Sequence, residues 1–154
     1  MKTLTKPRLK KIKKITKQMV WNVFSQYIRL KYADKDGYVK CYTCGKDIFW
    51  KEVRENGIVI KEGAQAGHAI GGRTNSVLFD EEIVRVQCPR CNIFLRGNYT
   101  IFTTKLIKEK GMKWWENKLL NSKKIKKYSQ SELKELYEHY KEEVEKLLEE
   151  LEVK

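Results

Sequence analysis

The sequence predicts an α+β fold in which a core of short strands is flanked by N- and C-terminal helices. Two observations predict the core: two Cys-x-x-Cys pairs each follow a β-rich run, and an Asn-Gly dipeptide separates two further β-rich runs. A third observation predicts the flanking helices, because apolar residues recur at helical spacing towards both ends of the chain. With 154 residues and 41% hydrophobic content, the chain is long enough for one compact domain with a modest core.

Residues 1–37 predict a basic N-terminal helix. Residues 1–17 hold eight Lys or Arg side chains and no acidic one, and Val20, Phe24 and Ile28 then follow at helical spacing. The helix is expected to end near Gly37, and its aromatic side chains are expected to be buried.

Residues 38–100 are predicted to form the core. The expected order of its elements is a strand, a metal knuckle and a hairpin, followed by a strand, a loop, a second strand and a short helix. Asn56-Gly57 between two β-rich runs is typical of a two-residue hairpin turn. Residues 83–87 alternate as a short strand does. Pro89 suits the first turn of a helix, where its missing N–H costs no hydrogen bond, and this helix is expected to stop near Gly97.

Two helical segments complete the chain. Residues 101–128 predict a helical, basic extension, and residues 129–154 predict an acidic amphipathic C-terminal helix that opens with a capping box, Ser129-x-x-Glu132. The apolar stripe of the last helix can pack on the domain or pair with a second copy. The basic cluster of the extension is Lys123, Lys124, Lys126 and Lys127.

Charge and hydropathy narrow the class of partner and the location. The net charge is +13, yet residues 129–154 carry 9 acidic and only 4 basic side chains, so the body of the chain is strongly basic. Such a body favours a polyanionic partner, because Lys and Arg release condensed counterions from phosphates. The sequence contains no run of 18 apolar residues, so no membrane span is predicted. The basic N-terminus lacks the apolar segment of a signal peptide. A cytoplasmic protein without a membrane partner is expected.

The four cysteines predict a structural zinc site. Cys41, Cys44, Cys88 and Cys91 form two pairs with the spacing of zinc knuckles, and four thiolates leave no open position on the metal. In a reducing compartment, metal binding explains such pairs better than disulfides do. Paired redox sites and buried free thiols are the alternatives.

His68 is the candidate general base. It is one of two histidines, and it lies beside Gly67 and a Gly-Gly pair, some twenty residues before the second cysteine pair. An imidazole with its ordinary pKa of about 6.5 is neutral at pH 7 and can take a proton from water. A structural role is the alternative for His68, while His139, in the charged last helix, is expected on the surface.

Several motifs together resemble a nuclease family. CYTCGK, AGHAIGGRTNSVLFDE and QCPRCNIFLRGNY resemble the HNH nuclease motif, whose core is a ββα fold around one divalent metal. Together with WNVFSQYIRL, they are similar to the phage recombination nuclease family NinG, also called Rap, over roughly Trp21 to Thr100. The resemblance implies that residues 38–100 are a zinc-bound, HNH-like ββα-metal nuclease core.

The resemblance also implies an activity and a setting. The family cleaves branched DNA such as Holliday junctions and D-loops, so a metal-dependent DNA endonuclease of phage recombination, acting in the cytoplasm of a bacterial host, is expected. Mg²⁺ or Mn²⁺ is the implied catalytic ion. Branched DNA, a phage recombinase and a second copy of the chain are the candidate partners.

The resemblance assigns roles residue by residue. It implies His68 as the general base, Asn92 as a ligand of the catalytic metal, and Arg96 as a basic residue on a neighbouring phosphate. Arg73, on the loop after the histidine, is a further candidate for a phosphate contact.

The sequence departs from the family pattern at the acidic position. HNH proteins commonly carry an Asp directly before the His, and the NinG-like pattern has one three residues before it, but these positions are Gly67 and Gln65 here. Asp80 and Glu82 are candidates for the missing carboxylate ligand, and Asn75 for the Asn that steadies the loop. The alternatives are a non-catalytic, zinc-stabilised DNA-binding protein and an HNH endonuclease of the homing or restriction type.

Overall fold

The computed structural model describes residues 13–72 and 75–152. Within these residues, helices mix with short antiparallel strands, so the α+β class is confirmed. The longer helices are α1 (Lys17–Lys31), α2 (Tyr99–Lys110), α3 (Met112–Ser122) and α4 (Gln130–Glu152). The strands are β1 (Tyr38–Lys40), β2 (Asp47–Phe49), β3 (Val53–Glu55), β4 (Ile58–Lys61), β5 (Gln65–His68) and β6 (Val84–Gln87). Two short helical segments are Asn75–Val77 and Arg90–Phe94.

The strands pair two by two, each pair antiparallel: β1 with β2, β3 with β4, and β5 with β6. The predicted hairpin is confirmed, since Asn56 and Gly57 join β3 to β4 with φ of 49° and 80°, the left-handed backbone that a two-residue turn requires. In the third pair, Gln65 lies opposite Gln87 and His68 opposite Val84. The loop that joins β5 to β6 therefore leaves and returns beside His68.

Helix α1 is shorter than the helix predicted over residues 1–37. It begins at Lys17 because the Thr16 hydroxyl accepts the Met19 N–H at 3.2 Å, as an N-cap does, and residues 13–16 are not helical. It ends at Lys31, after which the Asp34 carboxylate accepts backbone N–H groups and turns the chain into β1. The basic start of the predicted helix, residues 1–12, lies outside the described residues.

The main core lies between α1, α4 and the β5–β6 pair. Phe24 and Ile28 of α1 are fully buried with Val84 and Val86, and the Phe24 ring meets the Tyr140 ring edge-on at 4.9 Å. Aromatic residues of α1 are thus part of the core, as predicted. A second cluster buries α2 and α3 against the β5–β6 loop, through Ile83, Phe102, Leu106 and Trp115.

The extension over residues 101–128 is not helical throughout. Helix α3 ends at Ser122, so Lys123 to Lys127 lie in a non-helical connection to α4. This connection is held by Asn75, whose side-chain amide donates to the Lys126 carbonyl at 3.0 Å and whose own carbonyl accepts the Tyr128 hydroxyl. Tertiary hydrogen bonds therefore replace the helical ones that the sequence predicted.

Helix α4 opens with the predicted capping box, since Ser129 Oγ accepts the Glu132 N–H and Glu132 accepts the Ser129 N–H. Its apolar stripe packs on α1 within the chain, where Leu133, Tyr140 and Val144 are buried. That stripe is therefore occupied by contacts within the chain. Across the described residues, no helix combines the length and the apolar content that crossing a membrane requires.

Candidate functional site

The four cysteine thiols converge although two pairs supply them. Cys41 follows β1, Cys88 follows β6, and the Sγ atoms of all four cysteines lie within 4.8 Å of one another. Zn–S bonds of about 2.3 Å in a tetrahedron place sulfur atoms about 3.8 Å apart. The Cys44 and Cys88 sulfur atoms are 3.8 Å apart, so the cluster fits one zinc ion.

Backbone turns hold each pair in place. The Gly45 N–H donates to the Cys41 carbonyl at 2.9 Å, and the Gly97 N–H donates to the Cys91 carbonyl at 2.9 Å. Three of the thiols are buried, and Cys44 is exposed. The cluster therefore has one side that faces solvent.

Burial and hydrogen bonding shift the pKa values of these thiols in opposite directions. Burial raises the pKa of Cys41, but hydrogen bonds from the Thr43 hydroxyl and from backbone N–H groups outweigh it and lower that pKa to about 6. Burial raises the pKa of Cys88 to about 12. A bound cation favours the thiolate form at all four positions, which is the form that ligates zinc.

His68 lies at the end of β5, and its ring is fixed from two sides. It is buried, at 9% exposure, and its Nε2–H donates to the Val77 carbonyl at 2.9 Å. The Ile70 N–H donates to Nδ1 over a longer 3.3 Å. Val77 thus sets the tautomer that leaves the basic lone pair on Nδ1.

Asn92 shares a cleft with His68. The cleft has a volume of about 260 Å³, and β5, α1, the start of the β5–β6 loop, the short helix Arg90–Phe94 and the start of α2 all border it. Asn92 Nδ2 donates to Gln65 Oε1 at 2.8 Å, which leaves Asn92 Oδ1 as an oxygen donor. The residues that line the cleft are Trp21, Ala66, His68, Ile70, Gly71, Gly72, Asn92 and Tyr99.

The other predicted site residues lie elsewhere. Arg96 is exposed on the turn after the short helix, with φ of 49°, and does not line the cleft. Arg73 lies outside the described residues. Asp80 and Glu82 both pair with Lys118 of α3, at 2.7 and 3.0 Å, and neither borders the cleft. The sequence-based suggestion that one of them ligates a metal beside His68 is therefore wrong, because α3 holds both.

Asn75 connects the loop to two basic segments. Its side chain accepts from Lys17 Nζ at 3.0 Å and donates to the Lys126 carbonyl, and it opens the short turn whose last residue is Val77. That turn supplies the carbonyl on which His68 rests. The role suggested for Asn75, steadying the loop, agrees with these contacts.

Two glutamines of the site were not predicted. Gln65, at the position of the expected acid, touches Asn92, and Gln87 is fully buried, with its amide donating to the Gly97 carbonyl at 2.9 Å and to Thr43 Oγ1 at 3.3 Å. Gln87 therefore joins the two cysteine knuckles. A glutamine directly before a cysteine pair gives no sequence signal for this, because the contact depends on how the knuckles pack.

Position 67 suits a glycine because the Gln87 side chain occupies the space that a Cβ atom would need. A Cβ atom at Gly67 would lie 1.9 Å from Gln87 Oε1 and 2.6 Å from its Cδ. An aspartate directly before His68 has no room here, which explains this departure from the HNH pattern.

Gly67→Ala is expected to lower the free energy of unfolding by about 1–3 kcal/mol, the usual cost of overpacking. Gly71→Ala is the matched control, since the nearest neighbour of its Cβ would be the Tyr99 hydroxyl oxygen, at 3.5 Å. Urea denaturation of both variants measures the difference. In a Gln87→Ala background the Gly67→Ala cost should fall, and an undiminished cost there would show that Gln87 is not the obstacle.

The fold and the cluster define a small α+β protein with a four-cysteine site suited to zinc and a separate cleft containing a histidine and an asparagine. The chain belongs to the bacteriophage lambda NinG protein family, whose family model matches residues 2–150. The resemblance found over Trp21 to Thr100 is thereby confirmed for the family, over a longer span. Comparison with curated proteins gave no match, and neither did comparison with solved structures.

Proposed function

We propose that this protein is a metal-dependent HNH-type endonuclease that cleaves branched DNA, such as Holliday junctions and D-loops, in phage recombination within the bacterial host cytoplasm. One observation carries the proposal: His68 of β5 and Asn92 of the short helix border one cleft. The surrounding elements, two antiparallel strands followed by a short helix, support the proposal because a ββα-metal core is expected to have this order. The cysteine cluster holds a structural zinc that fixes the helix.

His68 acts as the general base. Because the Val77 carbonyl holds Nε2–H, Nδ1 is the atom that takes a proton from the attacking water. Protonation at Nδ1 displaces the long contact from the Ile70 N–H. The neutral imidazole thus accepts the proton while the water oxygen forms its bond to phosphorus. The bond from phosphorus to the leaving 3′ oxygen breaks on the opposite side, and that oxygen takes a proton from solvent.

The donors in the cleft fit a catalytic Mg²⁺ or Mn²⁺ only in part. Asn92 Oδ1 is available as a ligand, but none of the described residues that line the cleft carries a carboxylate, and hard cations prefer carboxylates. Asn92 would hold the ion together with a phosphate of the DNA. When bound, the ion supplies charge neutralisation at the scissile phosphate and at the leaving oxygen.

Basic segments around the cleft bind the DNA backbone. Lys17 borders a second cavity one helical turn before Trp21, which borders the His68 cleft, so the two cavities follow one face of α1. Asn75 holds the 123–127 segment near that face, and Lys123, Lys124 and Lys127 are exposed on it. Exposed Arg96 can contact a neighbouring phosphate. Such backbone contacts make binding depend on shape and on salt concentration.

Two alternatives have specific support. A non-catalytic, zinc-stabilised DNA-binding protein is favoured by the missing carboxylate in the cleft. An HNH endonuclease of the homing or restriction type would share the cleft and differ in reading sequence. A phage recombinase remains a proposed partner, and so does a second copy of the chain, although the α4 stripe is occupied within the chain.

Cleavage of a labelled four-way junction and of its linear arms tests the proposal, with Mg²⁺, Mn²⁺ or no added divalent metal. The protein is expected to cut the junction only with metal and to leave the arms intact. Specific cutting of a linear duplex would instead support the homing or restriction type. Binding of the junction without any cut would support the non-catalytic alternative.

The Gln65→Glu variant distinguishes a catalytic site that binds its metal weakly from one that no longer binds the metal. It is nearly isosteric and places a carboxylate beside Asn92, so half-maximal cleavage is expected at a roughly tenfold lower metal concentration. Asn117→Asp, on the exposed surface of α3, makes the same charge change outside both cavities and should have no effect. Cleavage by Gln65→Glu alone would mean that the natural chain is a degenerate relative. An unchanged metal requirement would exclude Gln65 from the metal site.

A further inference from the structure

Three consecutive large apolar side chains lie exposed beside the cleft. Ile93, Phe94 and Leu95 are 57%, 79% and 46% exposed, and they follow Asn92 directly in the chain. We refer to them as the ridge. Because consecutive Cα atoms are about 3.8 Å apart, the Phe94 Cα lies within about 8 Å of that of Asn92. The ridge therefore begins directly after Asn92, which borders the cleft.

The ridge is held rigidly. The Leu95 N–H donates to the Arg90 carbonyl at 2.8 Å, and the Asn98 N–H donates to the Leu95 carbonyl at 2.9 Å. Between these bonds the backbone is tied to Cys91, a member of the cysteine cluster, through the Gly97 N–H. These bonds fix the backbone that presents the three apolar side chains.

The charge of the residues around the ridge indicates which kind of partner binds there. Arg90 and Arg96 flank the ridge and are both exposed, and residues 83–108 contain no Asp or Glu. A second copy that packed its ridge on this one about a two-fold axis would bring two sets of these arginines into one contact, where like charges repel. A partner that is anionic and also offers apolar faces suits the surface better. Nucleic acid with unstacked bases has both properties.

We propose that the ridge is a wedge that enters DNA at a branch point and stacks Phe94 on an unpaired base, so that the branch is placed beside the His68 cleft. This inference rests on the proposed action on branched DNA and adds the feature that selects the branch. Apolar side chains that enter base steps in this way unstack them and bend the duplex. An intact duplex resists entry because its bases must first be unstacked, whereas a branch already offers frayed bases.

Phe94→Ala tests the wedge through binding, without added divalent metal, to a four-way junction and to its linear arms. Junction affinity is expected to fall about tenfold or more, as loss of one base–aromatic stack predicts, while duplex affinity stays unchanged. A 2-aminopurine at the branch should brighten when the natural protein binds, because its base is unstacked, and should not brighten with Phe94→Ala. Ile58→Ala is the matched control, since Ile58 is 69% exposed on β4, outside the basic segments, and borders neither the His68 cleft nor the cavity beside Lys17.

Each outcome bears on the inference separately from the nuclease proposal. An unchanged ratio of junction to duplex affinity in Phe94→Ala would overturn the wedge, even if the natural protein cuts junctions. A loss of self-association in that variant, by sedimentation, with an unchanged ratio would assign the ridge to a second copy. Selective loss of junction binding would support the wedge even if no divalent metal produced a cut, in which case only the nuclease proposal fails.

Discussion

His68→Ala is expected to lower the rate of junction cleavage by about 10²–10⁴-fold, the range that loss of a general base produces. The reason is that, within the part of the cleft that the structure describes, no other side chain has a group that is both basic and unprotonated at pH 7. Single-turnover cleavage of the labelled junction measures the effect. Junction affinity is expected to stay the same, because His68 is buried and is not a phosphate contact in the proposed mechanism.

Two controls separate chemistry from structure. His139→Ala removes the other histidine of the chain, which is exposed on α4, and should leave cleavage unchanged. His68→Gln keeps a side-chain amide that can donate to the Val77 carbonyl but has no basic nitrogen, so it should be as slow as His68→Ala. Full activity of His68→Gln would contradict the general-base assignment and leave His68 with the structural role.

Cys88→Ala is expected to prevent folding of the residues around the cleft. Cys88 is buried in the cluster, and the zinc that the cluster can hold ties β6 and the short helix to the β1 knuckle. Structural zinc contributes about 10 kcal/mol or more to folding in small zinc domains, which is comparable to the entire stability of a domain. Loss of the thermal unfolding transition by circular dichroism, with loss of one bound zinc per chain, is the expected result.

The exposed cysteine gives the matched control. Cys44→His supplies another zinc ligand at the side of the cluster that faces solvent, so it should keep bound zinc and much of the stability, whereas Cys44→Ala should lose both. A natural protein that contains no zinc, or that melts at the same temperature after chelation, would rule out a structural metal. The thiols would then be explained as buried free or redox-active groups.

Local patterns predicted the elements whose causes are local. The hairpin at Asn56-Gly57 follows from the left-handed backbone that these two residues tolerate, and the α4 start follows from the reciprocal bonds of Ser129 and Glu132. Helix α1 was predicted to be longer than it is. The Thr16 hydroxyl accepts the Met19 N–H as an N-cap, and the helix therefore begins at Lys17. The 123–127 segment was predicted helical, because its own composition does not reveal the bonds from Asn75.

The sequence by itself determined the α+β class, the two cysteine pairs and the pair His68 and Asn92, since each of these follows from spacing or from a family resemblance. Only the tertiary structure decided what surrounds them. It placed Gln65 on Asn92, Gln87 against Gly67, and Asp80 on Lys118 of α3. Such contacts join residues far apart in the chain, and they depend on how helices and strands pack rather than on the local preferences that a sequence displays.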